Sequence, residues 1–119
     1  MSLRSLFSKA YGTVKPVGVA ALLDAGALVL DVREPHEWRA GHAPKARHIP
    51  LGELPQRLSE VPANRIVVTV CRSGMRSRQA AALLAREGRQ VTNLAGGMHA
   101  WARAGLPVTA KGGSAGRVI

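Results

Sequence analysis

The stretch that most constrains the fold is residues 67–78, VVTVCRSGMRSR. A β-branched apolar run ends at Cys71, the only cysteine of the chain, and a short polar loop containing Gly74 leads into a helical pattern over residues 79–87. This order predicts a strand, a loop and a helix, with a thiol where the strand ends. Because ligands of open parallel sheets bind at the carboxyl ends of the strands, we expect the thiol at a binding edge.

The loop that follows Cys71 favours an anion. A helix N-terminus presents unpaired N–H groups and the positive end of the helix dipole, and the same groups stabilise a thiolate. Three arginines, Arg72, Arg76 and Arg78, add positive charge close by. We therefore interpret Cys71 as a reactive cysteine, and the alternative is a buried cysteine that serves only as a small apolar side chain.

The composition fits one domain with an aliphatic core. The chain has 119 residues, of which 46% are hydrophobic and only 3% aromatic. Its 17 Lys and Arg against 7 Asp and Glu give a formal net charge of +10, which favours anionic small molecules, acidic proteins or nucleic acid as partners. The basic residues are scattered and few aromatic side chains are available to stack on bases, which argues against nucleic acid as the main partner.

Missing sequence features narrow the class further. One cysteine cannot form an intramolecular disulfide, which removes the usual argument for a secreted scaffold, and we expect a cytoplasmic protein. No apolar run approaches the roughly 20 residues of a spanning helix and no signal-peptide pattern is visible, so no transmembrane segment is expected. The cysteine and four scattered histidines lack metal-ligand spacing, so neither a metal nor a cofactor is expected.

Strands alternate with helices along the chain. Helical patterns are predicted for residues 16–25, 35–40, 54–61, 79–87 and 98–104, and strands for residues 11–14, 27–33, 48–50, 65–70 and 90–94. The continuous apolar run over residues 27–33 is typical of strands that are buried on both faces. Together these patterns predict an α/β fold, an open parallel sheet of about five strands with helices on both faces.

The two ends of the chain stand apart from this alternation. Residues 1–15 contain no acid and place Leu3, Leu6, Phe7 and Ala10 at helical spacing. We interpret them as an N-terminal arm that packs on its own domain, with a targeting peptide or a membrane-surface anchor as the alternative. The Gly-rich residues 110–119 are predicted to form a loose tail.

Three stretches resemble the rhodanese family of sulfurtransferases. Residues 28–54 (LVLDVREPHEWRAGHAPKARHIPLGEL) resemble the family's strand ending in Asp-x-Arg and its Gly-His-x-Pro loop, residues 67–77 (VVTVCRSGMRS) its active-site loop, and residues 93–108 (NLAGGMHAWARAGLPV) its closing Gly-Gly-x-x-x-Trp segment. The resemblance covers residues 16–108 and implies one rhodanese domain there, with the arm before it and a C-terminal tail over residues 109–119. Ala43 and Lys45 depart from the residues usual in the family and affect only the rim of the loop.

The resemblance implies sulfur transfer through a cysteine persulfide. The thiolate would attack the outer sulfur of an anionic donor such as thiosulfate and pass that sulfur to cyanide, a thiol or a protein acceptor; a protein donor is also possible. Backbone N–H groups of the loop would form an anion cradle, and Gly74 permits its tight turn. The implied site consists of the nucleophile Cys71, the substrate-binding residues Arg72, Ser73, Gly74, Met75, Arg76 and Arg33, and the supporting residues Asp31 and Ser77.

The length of the loop favours sulfur transfer over phosphate chemistry. In the family, six-residue loops accompany sulfur transfer and seven-residue loops accompany phosphatases and arsenate reductases. A phosphatase signature needs an arginine six positions after the cysteine, whereas Arg76 lies five positions after Cys71 and position 77 is serine. The shorter ring of amides should also exclude a phosphate, which is larger than one sulfur atom.

Some alternatives stay open from the sequence alone. A sulfur carrier or interaction module, loaded with persulfide by a protein partner, would use the same Cys71 as an enzyme would. Asp31 and Arg33 also fit a structural ion pair, which is the interpretation we favour for Asp31. The remaining aromatic and histidine side chains of the motifs are interpreted as packing residues, namely Trp38, His42, His48 and Trp101.

Overall fold

The fold is a parallel five-stranded sheet, as the sequence predicts. The computed structural model describes residues 11–119; residues 1–10, with the apolar spacing of the N-terminal arm, lie outside the described residues. The sheet has the order β1-β5-β4-β2-β3, and every neighbouring pair is parallel. The strands are β1 (Gly12–Val14), β2 (Leu28–Asp31), β3 (Arg47–His48), β4 (Val67–Val70) and β5 (Val91–Leu94).

Helices connect the strands, and one connection differs from the prediction. The helices within residues 11–119 are α1 (Pro16–Asp24), α2 (Pro35–Ala40), α3 (Met75–Arg86) and α4 (Gly97–Arg103), and none is long and apolar enough to cross a lipid bilayer. The helix predicted after β3 is instead a 3-10 segment, Leu51–Glu60, with a non-helical residue at Arg57. Pro55 lies inside this segment and lacks the N–H that a continuous α-helix would use, which explains the difference.

Aliphatic side chains cover both faces of the sheet, which confirms the predicted layers. Successive strand residues point to opposite faces, so Val67 of β4 packs with α3 and the 3-10 segment, whereas Val68 and Val70 pack with α1 and α4. Every residue of β2 and β4 is buried, as their apolar runs predict. Trp101 of α4 is 2% exposed and fills the second core, in agreement with its interpretation as a packing residue.

The path of the chain places Cys71 at a switch point of the sheet. From β2 the chain moves outward to the edge strand β3, and from the neighbouring β4 it moves the other way to β5. Connections that leave in opposite directions open a crevice at the carboxyl ends of the two central strands. Asp31 ends β2 and pairs in register with Val70, which ends β4, and Cys71 is the next residue.

The C-terminal segment packs against the domain, so the prediction of a loose tail over residues 110–119 is wrong. Thr109 and His42 exchange backbone hydrogen bonds of 2.8 and 2.9 Å, and the Arg117 N–H donates to the Ala40 carbonyl at 2.9 Å. A Cβ atom added to Gly116 would lie 2.6 Å from the Thr109 carbonyl oxygen. Glycine here permits close backbone packing, which a composition argument cannot distinguish from flexibility.

Candidate active site

The loop between β4 and α3 folds back around the sulfur atom of Cys71. This residue is 1% exposed and packs in the core cluster on the α3 side of the sheet. The Gly74 N–H donates to Sγ at 3.0 Å, and the Ser77 hydroxyl lies 3.3 Å from Sγ. Gly74 has a φ of 108°, in the left-handed region that favours glycine, and this turn brings its N–H over the sulfur. We call residues 72–77 the cradle.

The cradle makes the thiol more acidic. Burial by itself raises the pKa of Cys71 and is the largest single effect. Hydrogen bonds from the Ser77 hydroxyl and from the backbone N–H groups of Ser77, Gly74 and Ser73 stabilise the thiolate, and together they outweigh burial. The pKa of Cys71 is therefore lowered from its ordinary value, which favours the nucleophilic thiolate form.

An ion pair with α2 holds the side chain of Arg76 at the rim of the cradle. Nη1 of Arg76 donates to Oε1 of Glu37 at 2.7 Å, and Nη2 donates to Oε2 at 2.9 Å, the two-pronged geometry that arginine makes with carboxylates. Hydrogen bonding from Arg76 is the main reason why the pKa of Glu37 is lowered to about 2. The Arg76 side chain remains 35% exposed, and its charge interacts with that of Cys71.

The other predicted cradle residues form an exposed rim. Arg72, Ser73 and Met75 are all exposed, and Met75 keeps 70% of its accessible surface. Nε of Arg72 donates to Nε2 of His99 at 2.9 Å, which connects the rim to α4. The structure thus places the Gly74 N–H and the Ser77 hydroxyl at the sulfur atom, whereas Arg72, Ser73 and Met75 lie at the surface.

Arg33 does not reach the cradle, which contradicts the expectation that it lines a substrate pocket. Its side chain is fully buried, and Nη2 donates to Asp31 Oδ2 and to the Gly41 carbonyl, both at 2.7 Å. The Asp31 carboxylate also accepts from the Arg33 backbone N–H, so it braces the chain directly after β2. The ion-pair interpretation of Asp31 agrees with this geometry.

The first turn of α4 supports the cradle from outside, which the sequence analysis missed. The N–H groups of Met98 and His99 donate to the carbonyls of Cys71 and Arg72, at 2.7 and 3.1 Å. A Cβ atom on Gly97 would lie 2.4 Å from the Cys71 carbonyl oxygen, so only glycine allows this approach. In the sequence the Gly-Gly pair looks like a simple turn; its position directly after a strand is the only signal of this contact.

Two buried polar side chains in neighbouring strands also support the cradle and were missed. Asn93 of β5 donates from Nδ2 to the Gly74 carbonyl at 3.3 Å, and its Oδ1 accepts from the Thr69 hydroxyl at 3.1 Å. Thr69 and Asn93 are register partners in β4 and β5. The signal that could have found them is a polar residue within each of two apolar strands, because a buried polar group needs a partner.

The histidines of the Gly-His-x-Pro region pack around Trp38. The indole stacks on His42 with ring centroids 3.6 Å apart and on His48 with centroids 4.8 Å apart. His42 and His48 are also hydrogen-bonded to the carbonyls of Trp38 and Arg33, at 2.8 and 2.7 Å. This agrees with a packing role. No cluster of three or more His, Cys, Asp or Glu side chains placed to hold a metal ion occurs within residues 11–119.

The fold and the cradle together define a class of protein, an α/β domain with a thiol held in a strand–loop–helix cradle at the carboxyl edge of a parallel sheet. The family model of the rhodanese-like domain matches residues 16–104, and the chain belongs to this family of sulfurtransferases. The match confirms the resemblance that the three sequence stretches indicate.

Individual proteins of the family are similar over most of this chain. A sulfurtransferase of Allochromatium vinosum is 48% identical over 87 residues, which cover 72% of this chain and 81% of that protein. A putative sulfur carrier protein of Bacillus subtilis is 39% identical over 79 residues, covering 66% of this chain and 43% of that protein. The structure of a thiosulfate sulfurtransferase from Pseudomonas aeruginosa is 30% identical, with a TM-score of 0.76 over 84% of this chain and 19% of that chain.

Proposed function

We propose that this protein transfers a sulfane sulfur through a persulfide at Cys71. The thiolate attacks the outer sulfur of thiosulfate or of another persulfide donor; a bond to Sγ forms as the sulfur–sulfur bond of the donor breaks. With thiosulfate, the leaving group takes the electron pair and departs as sulfite. Cyanide or a thiolate then attacks the outer sulfur, and the bonding pair returns to Sγ. Both steps conserve electrons, so neither needs an external oxidant or reductant.

The observation that carries the proposal is the set of hydrogen bonds onto Sγ. Gly74 donates at 3.0 Å and the Ser77 hydroxyl lies at 3.3 Å, around a thiol whose pKa is lowered. The outer sulfur of a persulfide is also an anion, and a ring of N–H groups is suited to hold it. In this proposal Cys71 is the nucleophile, the backbone of residues 72–76 holds the transferred sulfur, and Ser77 supports the thiolate.

Charge favours an anionic donor at this edge. The side chains of Arg76 and Arg72 lie at the rim of the cradle, and few acidic groups oppose them. Of the seven acidic residues, four are bound to arginines and two lie at the C-terminal ends of α1 and α3, opposite the carboxyl ends of the strands, which leaves Glu34 as the exception. The four are Asp31, Glu37, Glu53 and Glu60, and the two are Asp24 and Glu87. A positive field of this kind concentrates small anions such as thiosulfate.

A sulfur carrier is the second candidate function. The similarity to a putative sulfur carrier protein of Bacillus subtilis, over 66% of this chain, favours it. The same Cys71 would then hold a persulfide received from a protein donor and deliver it to a protein acceptor, with little turnover of small molecules. We also propose that the protein works in the cytoplasm, where a lone thiol stays reduced.

Intact-mass measurement after incubation with thiosulfate tests the persulfide, with Cys71→Ser as the matched control. We expect the wild-type mass to rise by one sulfur atom, the variant mass to stay unchanged, and cyanide to reverse the gain. The proposal fails if the variant gains the same mass, because the sulfur would then be bound elsewhere.

Steady-state turnover with thiosulfate and cyanide separates the two candidates. Sustained thiocyanate production supports the enzyme. Negligible production, together with a one-sulfur gain from a cysteine desulfurase supplied with cysteine, supports the carrier. If neither donor adds a sulfur atom, both candidates are excluded.

A further inference from the structure

The Ser77 hydroxyl faces two acceptors with a single proton. Its Oγ lies 3.3 Å from the sulfur of Cys71 and 3.2 Å from the Gly74 carbonyl oxygen. Since a hydroxyl carries one hydrogen, it cannot donate to both at once. If the proton goes to the carbonyl, the sulfur loses its side-chain donor. If it goes to the sulfur, the buried carbonyl needs other partners, because an unsatisfied buried acceptor is costly.

Asn93 is such a partner. Its amide lies 3.3 Å from the Gly74 carbonyl, and because a carbonyl only accepts, the atom that faces it is Nδ2. This orientation directs Oδ1 toward the Thr69 hydroxyl, which donates to it at 3.1 Å. Asn93 is 3% exposed and Thr69 fully buried, so the pair is shielded from bulk water. The Arg78 N–H also donates to the carbonyl, at 3.3 Å.

The peptide unit between Gly74 and Met75 gains support from these hydrogen bonds. Gly74 has no Cβ and a φ of 108°, so steric restriction on this unit is weak. The C=O and N–H of a trans peptide point in opposite directions. A Gly74 carbonyl held toward β5 therefore directs the Met75 N–H away from β5, and the hydrogen bond from Asn93 helps to fix this orientation of the peptide unit.

We propose that Asn93 is a positioning residue for Cys71: it holds the Gly74 carbonyl and thereby leaves the single hydroxyl proton of Ser77 for the sulfur atom. Asn93 touches no reacting atom and acts through Gly74 and Ser77. This deepens the proposed function and rests on Cys71 being the reacting group, but its consequence, a more reactive thiol, can be measured without any sulfur donor.

The test is the pH dependence of alkylation by iodoacetamide. Cys71 is the only cysteine, so the reaction reports on one thiol. Asn93→Leu keeps a similar volume and removes the donor. We expect the midpoint of its profile to move to higher pH and its rate below the midpoint to fall about three- to tenfold, since one pKa unit is a tenfold change in thiolate fraction. Thr92→Val, on the same strand, is the matched control, and the midpoint of its pH profile should equal that of the wild type.

A double-mutant cycle shows whether Asn93 acts through Ser77. Ser77→Ala alone should also shift the profile upward, because the hydroxyl stabilises the thiolate. In that background Asn93→Leu should add almost nothing, since the hydroxyl proton it leaves for the sulfur is gone. Additive shifts overturn the proposal, as does an unchanged midpoint in a folded Asn93→Leu protein.

A second variant covers the case in which Asn93→Leu does not fold. Thr69→Val keeps the amide and removes the donor that orients it, so we expect a smaller shift in the same direction; an unchanged midpoint there overturns the proposal. The outcomes also separate this inference from the proposed function. A shifted profile without persulfide formation contradicts the sulfurtransferase proposal alone, and persulfide formation with unshifted profiles contradicts the role of Asn93 alone.

Discussion

Two arginine–carboxylate pairs lie at the carboxyl ends of β2 and β4, and they differ in depth. Asp31 and Arg33 form one pair and Glu37 and Arg76 the other, each with a shortest N–O distance of 2.7 Å. Both side chains of the first pair are 0% exposed, whereas Arg76 keeps 35% of its side-chain surface. The chemistry of the two contacts is the same, and burial decides what each arginine can do.

The Asp31–Arg33 pair, which we call the buried pair, links two parts of the chain. Arg33 connects the end of β2 to the Gly41 carbonyl, where the loop before β3 begins. Its Nη1 is buried and has no hydrogen-bond partner among residues 11–119. An arginine enclosed in this way cannot bind a substrate without first leaving the core. The Asp31 carboxylate would then stay buried without its counter-charge, which is energetically costly.

The Glu37–Arg76 pair, which we call the rim pair, holds a cation in a fixed position. Glu37 uses both carboxylate oxygens to orient the guanidinium of Arg76, and solvent still reaches the rest of the group. An arginine near a reactive cysteine is therefore a candidate ligand only if its carboxylate partner leaves part of the guanidinium accessible to solvent. Substitutions in the first pair should therefore act mainly on stability, and removal of Arg76 from the second pair should act mainly on donor binding.

The largest effect is expected from breaking the buried pair. Asp31→Ala leaves the Arg33 guanidinium buried without its counter-charge, which should lower the free energy of unfolding by about 3–5 kcal/mol, measured by urea denaturation. Arg57→Ala, which removes a partly exposed arginine paired with the exposed Glu53 and Glu60, is the control and should leave the denaturation midpoint nearly unchanged.

A double substitution sharpens this test. Asp31→Leu combined with Arg33→Met replaces both charges by apolar groups, and it should recover much of the stability that Asp31→Ala loses. If Asp31→Ala is as stable as the wild type, the pair is not structural and the comparison between the two arginines fails.

The spacing of apolar residues, together with the positions of glycines and prolines, predicted the fold of this chain well. The strand–loop–helix order around Cys71, the five parallel strands and the two covered faces all follow from short apolar runs between glycines and prolines. The local errors have local causes. Pro55 interrupts what looks like an amphipathic helix, and the glycines of residues 110–119 pack closely against the domain.

The candidate site was predicted only in part, because local sequence patterns determine neither how deeply a side chain is buried nor which distant residues it contacts. The loop from Cys71 to Ser77 is contiguous, so its residues had to lie together. Arg33 and Arg76 look alike in sequence, and only the tertiary structure shows that one is sealed in the core. Asn93 and Glu37 belong to other secondary-structure elements. Their distance from Cys71 along the sequence does not predict that they contact the cradle.

A smaller effect, on donor binding, is expected at the rim pair. Arg76→Ala removes the positioned cation, so the apparent KM for thiosulfate should rise about tenfold while kcat changes little, as expected when binding is lost equally in the ground and transition states. Arg78→Ala is the matched control, one arginine removed from the same helical turn. An unchanged KM for Arg76→Ala would show that Arg76 does not hold the donor.

The smallest effect is the pH dependence of the Glu37 contact. The pKa of Glu37 is lowered from 4.5 to about 2 in the folded protein, mainly by Arg76. Between these values the unfolded chain binds more protons, so the stabilisation by this contact is complete above about pH 4.5 and is lost as the pH falls toward 2. Glu37→Gln removes the charge and keeps the shape. The wild type should exceed it in free energy of unfolding by about 1 kcal/mol near pH 6, a modest value because Arg76 is partly solvated.

Urea denaturation at about pH 6 and about pH 2.5 measures this difference. The advantage of the wild type should shrink at the lower pH, where its Glu37 begins to be protonated and resembles glutamine. A difference that is the same at both pH values would mean that the contribution of Glu37 does not depend on the charge of its carboxylate. The rim pair would then resemble the buried pair in being structural, and the assignment of Arg76 as an accessible, charge-oriented donor ligand would lose its support from Glu37.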